Sequence, residues 1–392
     1  MVISTSNPPK VLTVFGTRPE AIKLAPLIRA LGEECRLASK VCVTGQHREM
    51  LDQVLSQFLI APDYDLNLME DDQSITQFSA KALSALDRVL QEYKPHLLIV
   101  QGDTGTTLMS AIAAYYQQIP VFHLEAGLRT DDLYSPWPEE GNRRLVSPIT
   151  QKHFVATERA RTNLLREGVP NAHIELTGNT VIDSLFWMRD QITSNATLQR
   201  GLQERFEFLQ EERRFVLITA HRREHFGEQF ESIAQAIFQM AQEHPEIDFV
   251  FPVHPNPSVK ELMQSQLSNI DNIYLLEPLS YSEFVYLFIR SFFVLTDSGG
   301  IQEEAVALGI PVLLMRNITE RPEAVDAGGA LLVGADPARI IQGARSLIHD
   351  KHTYESMAMK RNLFGDGHAT NRIVKSILKH FNLITSPEEL HA

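Results

Sequence analysis

Three acidic residues stand where strand-like runs give way to turns. Asp103 follows His96–Gln101, Glu125 follows Pro120–Leu124, and Glu139 closes the loop DDLYSPWPEE (Asp131 to Glu140). Carboxylates gathered at one sheet edge push one another's pKa values apart, so a single site can carry a proton donor and a proton acceptor near neutral pH. Basic groups occupy comparable positions. Arg18 lies in Gly16-Thr17-Arg18-Pro19-Glu20 with Lys23 one turn further on, and His221 is followed by Arg222 and Arg223 at the end of Phe215–Ala220. Such groups suit a phosphate or diphosphate. A third feature is FFVLTDSGGIQEEAVA (Phe292 to Ala307), read as strand, glycine turn and helix. Unpaired N–H groups and the positive dipole end at such a helix start attract phosphate, Gly299 and Gly300 let backbone approach a ligand, and Ser298 offers a hydroxyl. Each feature has a plain structural alternative: a helix cap for Asp103, a surface loop for Glu139, an ordinary turn for Ser298–Gly300.

The elements needed to position these groups alternate regularly. Strand-like runs at Lys10–Phe15, Lys40–Thr44, His96–Gln101, Pro120–Leu124, His153–Ala156 and His173–Thr177 are separated by helical stretches, and a second series starts at Phe215. The pattern predicts an α/β protein with two Rossmann-like doubly wound parallel-sheet domains facing across a cleft lined by strand-end loops. The expected division is 1–190, with a C-terminal helix from 368–392 packing back on it, and 191–367. The polar run Ser194–Arg214 is taken as the connection and Gly365-Asp366-Gly367 as the return crossing. Pro19 suits a first helical position, which leaves Arg18 on the loop at the end of the first strand. That loop has one glycine and no GxGxxG, so a bound NAD is disfavoured. No HxH or HExxH spacing suggests a metal, and His254, in His254-Pro255-Asn256-Pro257, ranks below His221 for lack of flanking arginines.

Composition narrows the function classes. A chain of 392 residues with 44% hydrophobic and 22% charged residues fits two soluble domains, and a net charge of −13 opposes non-specific binding to nucleic acid or anionic membrane. MVISTSNPPK lacks the pattern of a signal peptide and no apolar run reaches spanning length, which predicts a cytoplasmic protein. Cys35 and Cys42 are expected to be buried thiols.

GTRPEAIK (Gly16 to Lys23), TGQHREMLDQVL (Thr44 to Leu55), HLEAGLRT (His123 to Thr130), YSPWPEE with NRR (Tyr134 to Arg144), TGNTVID (Thr177 to Asp183), AHRRE (Ala220 to Glu224), TDSGGIQEEA (Thr296 to Ala305) and TERPEAV (Thr319 to Val325) together resemble the bacterial non-hydrolysing UDP-N-acetylglucosamine 2-epimerases, in order and spacing, from about Lys10 to Phe381. The resemblance implies the glycosyltransferase-B fold and a homodimer without a cofactor. It implies interconversion of UDP-N-acetylglucosamine and UDP-N-acetylmannosamine for surface polysaccharide, by elimination of UDP to 2-acetamidoglucal and re-addition. On that resemblance Asp103, Glu125, Glu139 and His221 are the catalytic residues. Arg18, Lys23, Ser298, Gly299, Gly300, Glu304 and Arg321 bind substrate, with Glu304 on the ribose hydroxyls. A second UDP-N-acetylglucosamine acting as activator would use Gln46, Glu49, Arg222 and His254. The chain departs from the family pattern at Gln101, where His is usual, at Gly105, at Arg316-Asn317-Ile318, and at Asp72, where some members carry Arg. The alternatives are a UDP-sugar glycosyltransferase of the same fold, a 2-epimerase of a UDP-diacetamido uronic acid, and a non-catalytic nucleotide-sugar sensor.

Overall fold

The computed structural model describes residues 7–45, 48–70, 72–210, 212–220, 228–253, 256–359 and 361–384. The chain divides into two compact units, Met1–Ser184 with Phe364–Ala392, and Leu185–Leu363. The first contains a seven-stranded sheet of β1 (Lys10–Phe15), β2 (Ala38–Val43), β3 (Tyr64–Asp65), β4 (Leu97–Gln101), β5 (Val121–Leu124), β6 (Lys152–Val155) and β7 (Ile174–Leu176). Their order is β3-β2-β1-β4-β5-β6-β7 and every pairing is parallel. The second sheet, β8 (Phe215–Thr219), β9 (Asp248–Pro252), β10 (Ile273–Leu276), β11 (Phe293–Thr296), β12 (Val312–Leu314) and β13 (Ala330–Leu332), has the order β10-β9-β8-β11-β12-β13. Its pairings are parallel as well. Strand order reverses between β1 and β4 in one sheet and between β8 and β11 in the other. Chains leaving the carboxyl ends on either side of such a reversal part company, and the gap is where ligands bind.

The central strands are continuous apolar runs because helices cover both faces. Leu97 to Val100, Val216 to Ile218 and Phe293 to Leu295 are fully buried. The core of the first unit joins β1 and β4 to the helix Ile75–Tyr93 through Leu12, Val14, Leu98, Val100, Phe78, Leu86 and Leu90. That of the second joins β8, β9 and β11 to the helix Glu228–Glu243 through Ile218, Phe249, Leu295, Ile233 and Ile237.

Several elements differ from the sequence expectation. The first helix spans Arg18–Glu33 with Thr17 as N-cap, so Arg18 is its first residue and Pro19 the second. The reason is a capping box in which Thr17 and Glu20 satisfy each other's backbone N–H groups. The polar run after Ser194 is not an open connection, because Asn195 caps a helix over Ala196–Arg205. The helix Thr180–Ser194 carries the chain from one unit into the other. Return to the first unit falls at Phe364, whose carbonyl accepts from Asn179 N–H at 2.6 Å; Asp183 then accepts from Ala369 and Thr370 N–H at 3.3 and 2.8 Å. Cys42 is buried, with its thiol pushed up to about 12 by desolvation and then by Asp65, whereas Cys35 is exposed. The short strands β3 and β13 have too few residues to show periodicity.

Candidate active site

In the first unit the turns after β1, β4 and β5 are tied into one scaffold. Glu20 is buried and accepts from Gly16 N–H (3.0 Å), Thr17 N–H (2.8 Å), the Thr17 hydroxyl (2.8 Å) and the Thr104 hydroxyl (2.7 Å). It therefore locks the Arg18 loop to the Asp103 turn. Burial raises its pKa and these donors pull the other way. Gly16 has no room for a side chain, since a Cβ there would run into the Thr44 and Thr106 hydroxyls.

Asp103 does not cap the helix Gly105–Tyr116; Thr104 does, through Thr107 N–H. The Asp103 carboxylate is left facing the helix Glu139–Val146, where Arg143 donates to Oδ2 from Nε (2.8 Å) and from Nη2 (2.7 Å). Asn142 Nδ2 holds the Asp103 carbonyl at 2.8 Å. Arg143 is fixed in turn by buried Glu140 at 3.1 Å, which also binds Arg144 at 3.0 Å. On the neighbouring strand His123 Nε2 donates to the Gly102 carbonyl at 2.7 Å, pinning the same turn from the β5 side. Desolvation pushes His123 down to about 4, against smaller upward pulls, so it remains a neutral donor near pH 7.

Glu125 emerges one residue beyond β5 in the left-handed backbone region, φ +58°. Such a conformation in a non-glycine residue is held by its surroundings. Its carboxylate takes an ion pair from Lys23 and a hydrogen bond from the Gln101 side-chain amide, both on Oε2. Gln101 pairs in register with Leu124, which explains the reach. Glu139 begins its helix half-buried, and one of its oxygens, Oε2, is buried without a hydrogen-bond partner. The structure thus brings Asp103 and Glu125 onto linked turns, sets Glu139 at the start of the helix that supplies Arg143, and places Lys23 on Glu125. Arg18 is half-buried at the start of its helix.

In the second unit the helix Gly299–Leu308 starts directly after β11, and Ser298, its N-cap, makes no side-chain cap bond. Ser298 N–H is held by the Thr296 hydroxyl at 2.9 Å, which meets the Thr219 hydroxyl of β8 at 2.6 Å. Gly299 and Gly300 differ. A Cβ on Gly299 would lie 2.6 Å from both Arg321 Nη1 and Glu320 Oε1, whereas one on Gly300 would meet nothing within 4 Å. Gly300 is open, and Gly299 rests on a buried network. Arg321 pairs there with Glu303 and with Glu320 (2.8 Å), and Arg316 joins Glu320. Glu304 is buried on the same helix. Gln46, His221, Arg222 and His254, and the side chain of Glu49, lie outside the described residues.

A family model described as UDP-N-acetylglucosamine 2-epimerase matches residues 29–378. The chain belongs to this family. It is 52% identical over 371 residues to a UDP-N-acetylglucosamine 2-epimerase of Yersinia pestis, covering 95% of this chain and 99% of the relative. A crystal structure of the Neisseria meningitidis UDP-GlcNAc 2-epimerase bound to UDP-GlcNAc superposes with a TM-score of 0.91 at 49% identity, covering 94% of this chain and 100% of that one. A Rickettsia africae glycosyltransferase, at 11% identity and a TM-score of 0.59 over 97% of this chain and 100% of its own, shares the fold. Both sheets of this epimerase-family chain are those of the glycosyltransferase-B fold.

Sequence reasoning missed the groups that hold the family residues in place. Glu20, His123, Glu140, Arg143 and Glu303 all lie inside the quoted motifs, but their partners lie from 3 positions away to as many as 84, as with Glu20 and Thr104. The one available signal was a charged residue inside an otherwise buried helical face, as at Glu140 and Arg143.

Proposed function

We propose that this protein interconverts UDP-N-acetylglucosamine and UDP-N-acetylmannosamine by inverting the carbon that bears the acetamido group. The observation that carries the reading is the linked set of carboxylates, Asp103 on Arg143 and Glu125 on Lys23, at the carboxyl ends of neighbouring strands β4 and β5. That carbon has no adjacent carbonyl, so its proton is not acidic enough for direct exchange. Elimination offers a route: a base removes the proton, the bond from the anomeric carbon to UDP oxygen breaks, and 2-acetamidoglucal forms. Re-addition of UDP with protonation on the other face gives the epimer. Both directions need acid and base groups at the sugar and cations or oriented N–H groups for the departing diphosphate. Asp103, Glu125 and Glu139 serve the first need together. Arg18, His221 and the Ser298–Gly300 turn serve the second, Glu304 takes the ribose hydroxyls, and Arg321 supports the turn from behind.

In the same reading the enzyme works in the cytoplasm as a homodimer and supplies surface polysaccharide synthesis. A second UDP-N-acetylglucosamine activates it through Gln46, Glu49, Arg222 and His254. A lag and sigmoidal dependence on the reverse substrate, abolished by adding UDP-N-acetylglucosamine, is the expected kinetic sign; simple hyperbolic kinetics would remove the activator.

The deciding experiment is incubation with UDP-N-acetylglucosamine alone in deuterated water, followed by proton NMR. Loss of the proton signal at the acetamido-bearing carbon together with appearance of the manno epimer is expected. Absence of exchange until a sugar acceptor is added would replace this reading with a glycosyltransferase.

A further inference from the structure

We propose that Gln101 is a positioning residue that keeps the Glu125 carboxyl in place in both of its protonation states. The inference deepens the reading above and rests on Glu125 being one of the acid–base groups.

Gln101 is the last residue of β4, 1% exposed, with its backbone carbonyl held by the Thr107 hydroxyl at 2.6 Å and its backbone in register with Leu124. Its side chain is thus delivered from a rigid strand end to Glu125 Oε2, the oxygen that Lys23 also binds. The two partners are chemically unlike. The Lys23 ammonium has only donors, so it favours the carboxylate and offers nothing to the proton of the acid. A primary amide has a donor and an acceptor at the same distance from its Cγ, and a half-turn about the terminal bond exchanges them. Gln101 donates N–H to the carboxylate, and after the half-turn its Oε1 accepts from protonated Glu125. The amide carries no ionisation of its own in the working range. Glu125 needs such a partner because its left-handed backbone, φ +58°, gives the side chain no helix or strand direction of its own. A reversible elimination and re-addition asks the same carboxyl to be a base in one direction of the reaction and an acid in the other. Among the described residues, charged groups near this region include Asp103, bound to Arg143, and Arg129, which with Asp103 and Glu125 acts on the His123 ring.

The test is the pH profile of kcat and kcat/KM for Gln101→Met, which keeps the volume and removes both polar functions, with Gln101→Asn, one methylene shorter, as the second variant. Both bonds are lost, and the one to the charged carboxylate is the stronger by about 1–1.5 kcal/mol, so the ionised form loses more and the acid limb should move to higher pH by about one unit, with kcat at pH 7 reduced roughly ten- to a hundred-fold and KM within about two-fold. Gln101→Asn should show the same displacement if Gln101→Met does not fold. A merely structural residue would lower the thermal midpoint and leave the limb where it was, and that result overturns the proposal. Glu125→Gln is run in parallel. If it is inactive while both Gln101 variants keep the wild-type profile, the assignment of Gln101 fails and that of Glu125 stands. If Glu125→Gln retains turnover, both fail.

Discussion

Adjacent glycines at 299 and 300 should respond in opposite ways to the same added methyl group. In Gly299→Ala the new Cβ would sit 2.6 Å from Arg321 Nη1 and Glu320 Oε1. Long side chains usually move aside, but Arg321 and Glu320 are 5% and 8% exposed and are tied to each other, to Glu303 and to Arg316. Overpacking of this kind costs about 1–3 kcal/mol, and full loss of a buried ion pair about 3–5 kcal/mol. Exchange of Gly for Ala in a helix returns up to about 1 kcal/mol. A net loss of about 1–3 kcal/mol is expected, or a fall of roughly 3–10 °C in thermal midpoint for a unit of this size. In Gly300→Ala the methyl meets no atom within 4 Å, so stability should hold or rise slightly. On the proposed function the methyl instead occupies the face that the diphosphate approaches. Loss of one hydrogen bond to a charged group, about 1.5–3 kcal/mol, weakens UDP binding roughly ten- to a hundred-fold. Thermal unfolding and calorimetric titration with UDP measure the two quantities on the same preparations. A UDP affinity within two-fold of wild type in Gly300→Ala would refute the assignment of this turn to the diphosphate. An unchanged midpoint in Gly299→Ala would refute the rigidity of the network behind it.

Further perturbations separate chemistry from support. Asp103→Asn, Glu125→Gln and Glu139→Gln should each lower turnover by about two or more orders of magnitude while UDP affinity holds, as steady-state kinetics and titration will show. Asp103→Asn should also lower the thermal midpoint by weakening the Arg143 pair, whereas Glu139→Gln, with one oxygen unpartnered, should not. His123 titrates at about 4 in the fold and near 6.5 unfolded, so its contribution is complete above about pH 6.5 and is lost as pH falls toward 4, a swing of about 3 kcal/mol. Denaturation of His123→Gln across that window should show stability falling less steeply with acidification than in wild type; identical slopes would contradict the buried neutral imidazole. Glu20 and Asp183, both raised by burial, act in the opposite sense and cancel in that comparison. Gly127→Ala should destabilise by about 2–4 kcal/mol, because φ is +85° and a Cβ would run into the backbone carbonyl of Ala160. A midpoint in urea equal to wild type would refute it.

Local chemistry alone determined much of this molecule. Alternating apolar runs and turns set the parallel α/β class, because strands covered on both faces must be apolar throughout. Residues at strand ends were legible because their neighbours in sequence are what place them: a strand before and a helix start after for Asp103 and Ser298, and the end of β5 for Glu125. Tertiary structure alone decided which group each of them meets. Arg143 reaches Asp103 across forty positions, and Lys23 reaches Glu125 across 102. Gln101 touches Glu125 because β4 and β5 are neighbours in the sheet, an adjacency fixed by strand order. Gly299 and Gly300 are indistinguishable as letters, yet one abuts a buried guanidinium and the other open space. Partners of buried charges are chosen by packing across the whole unit, since desolvation makes an unpaired charge too costly wherever in the chain its partner lies.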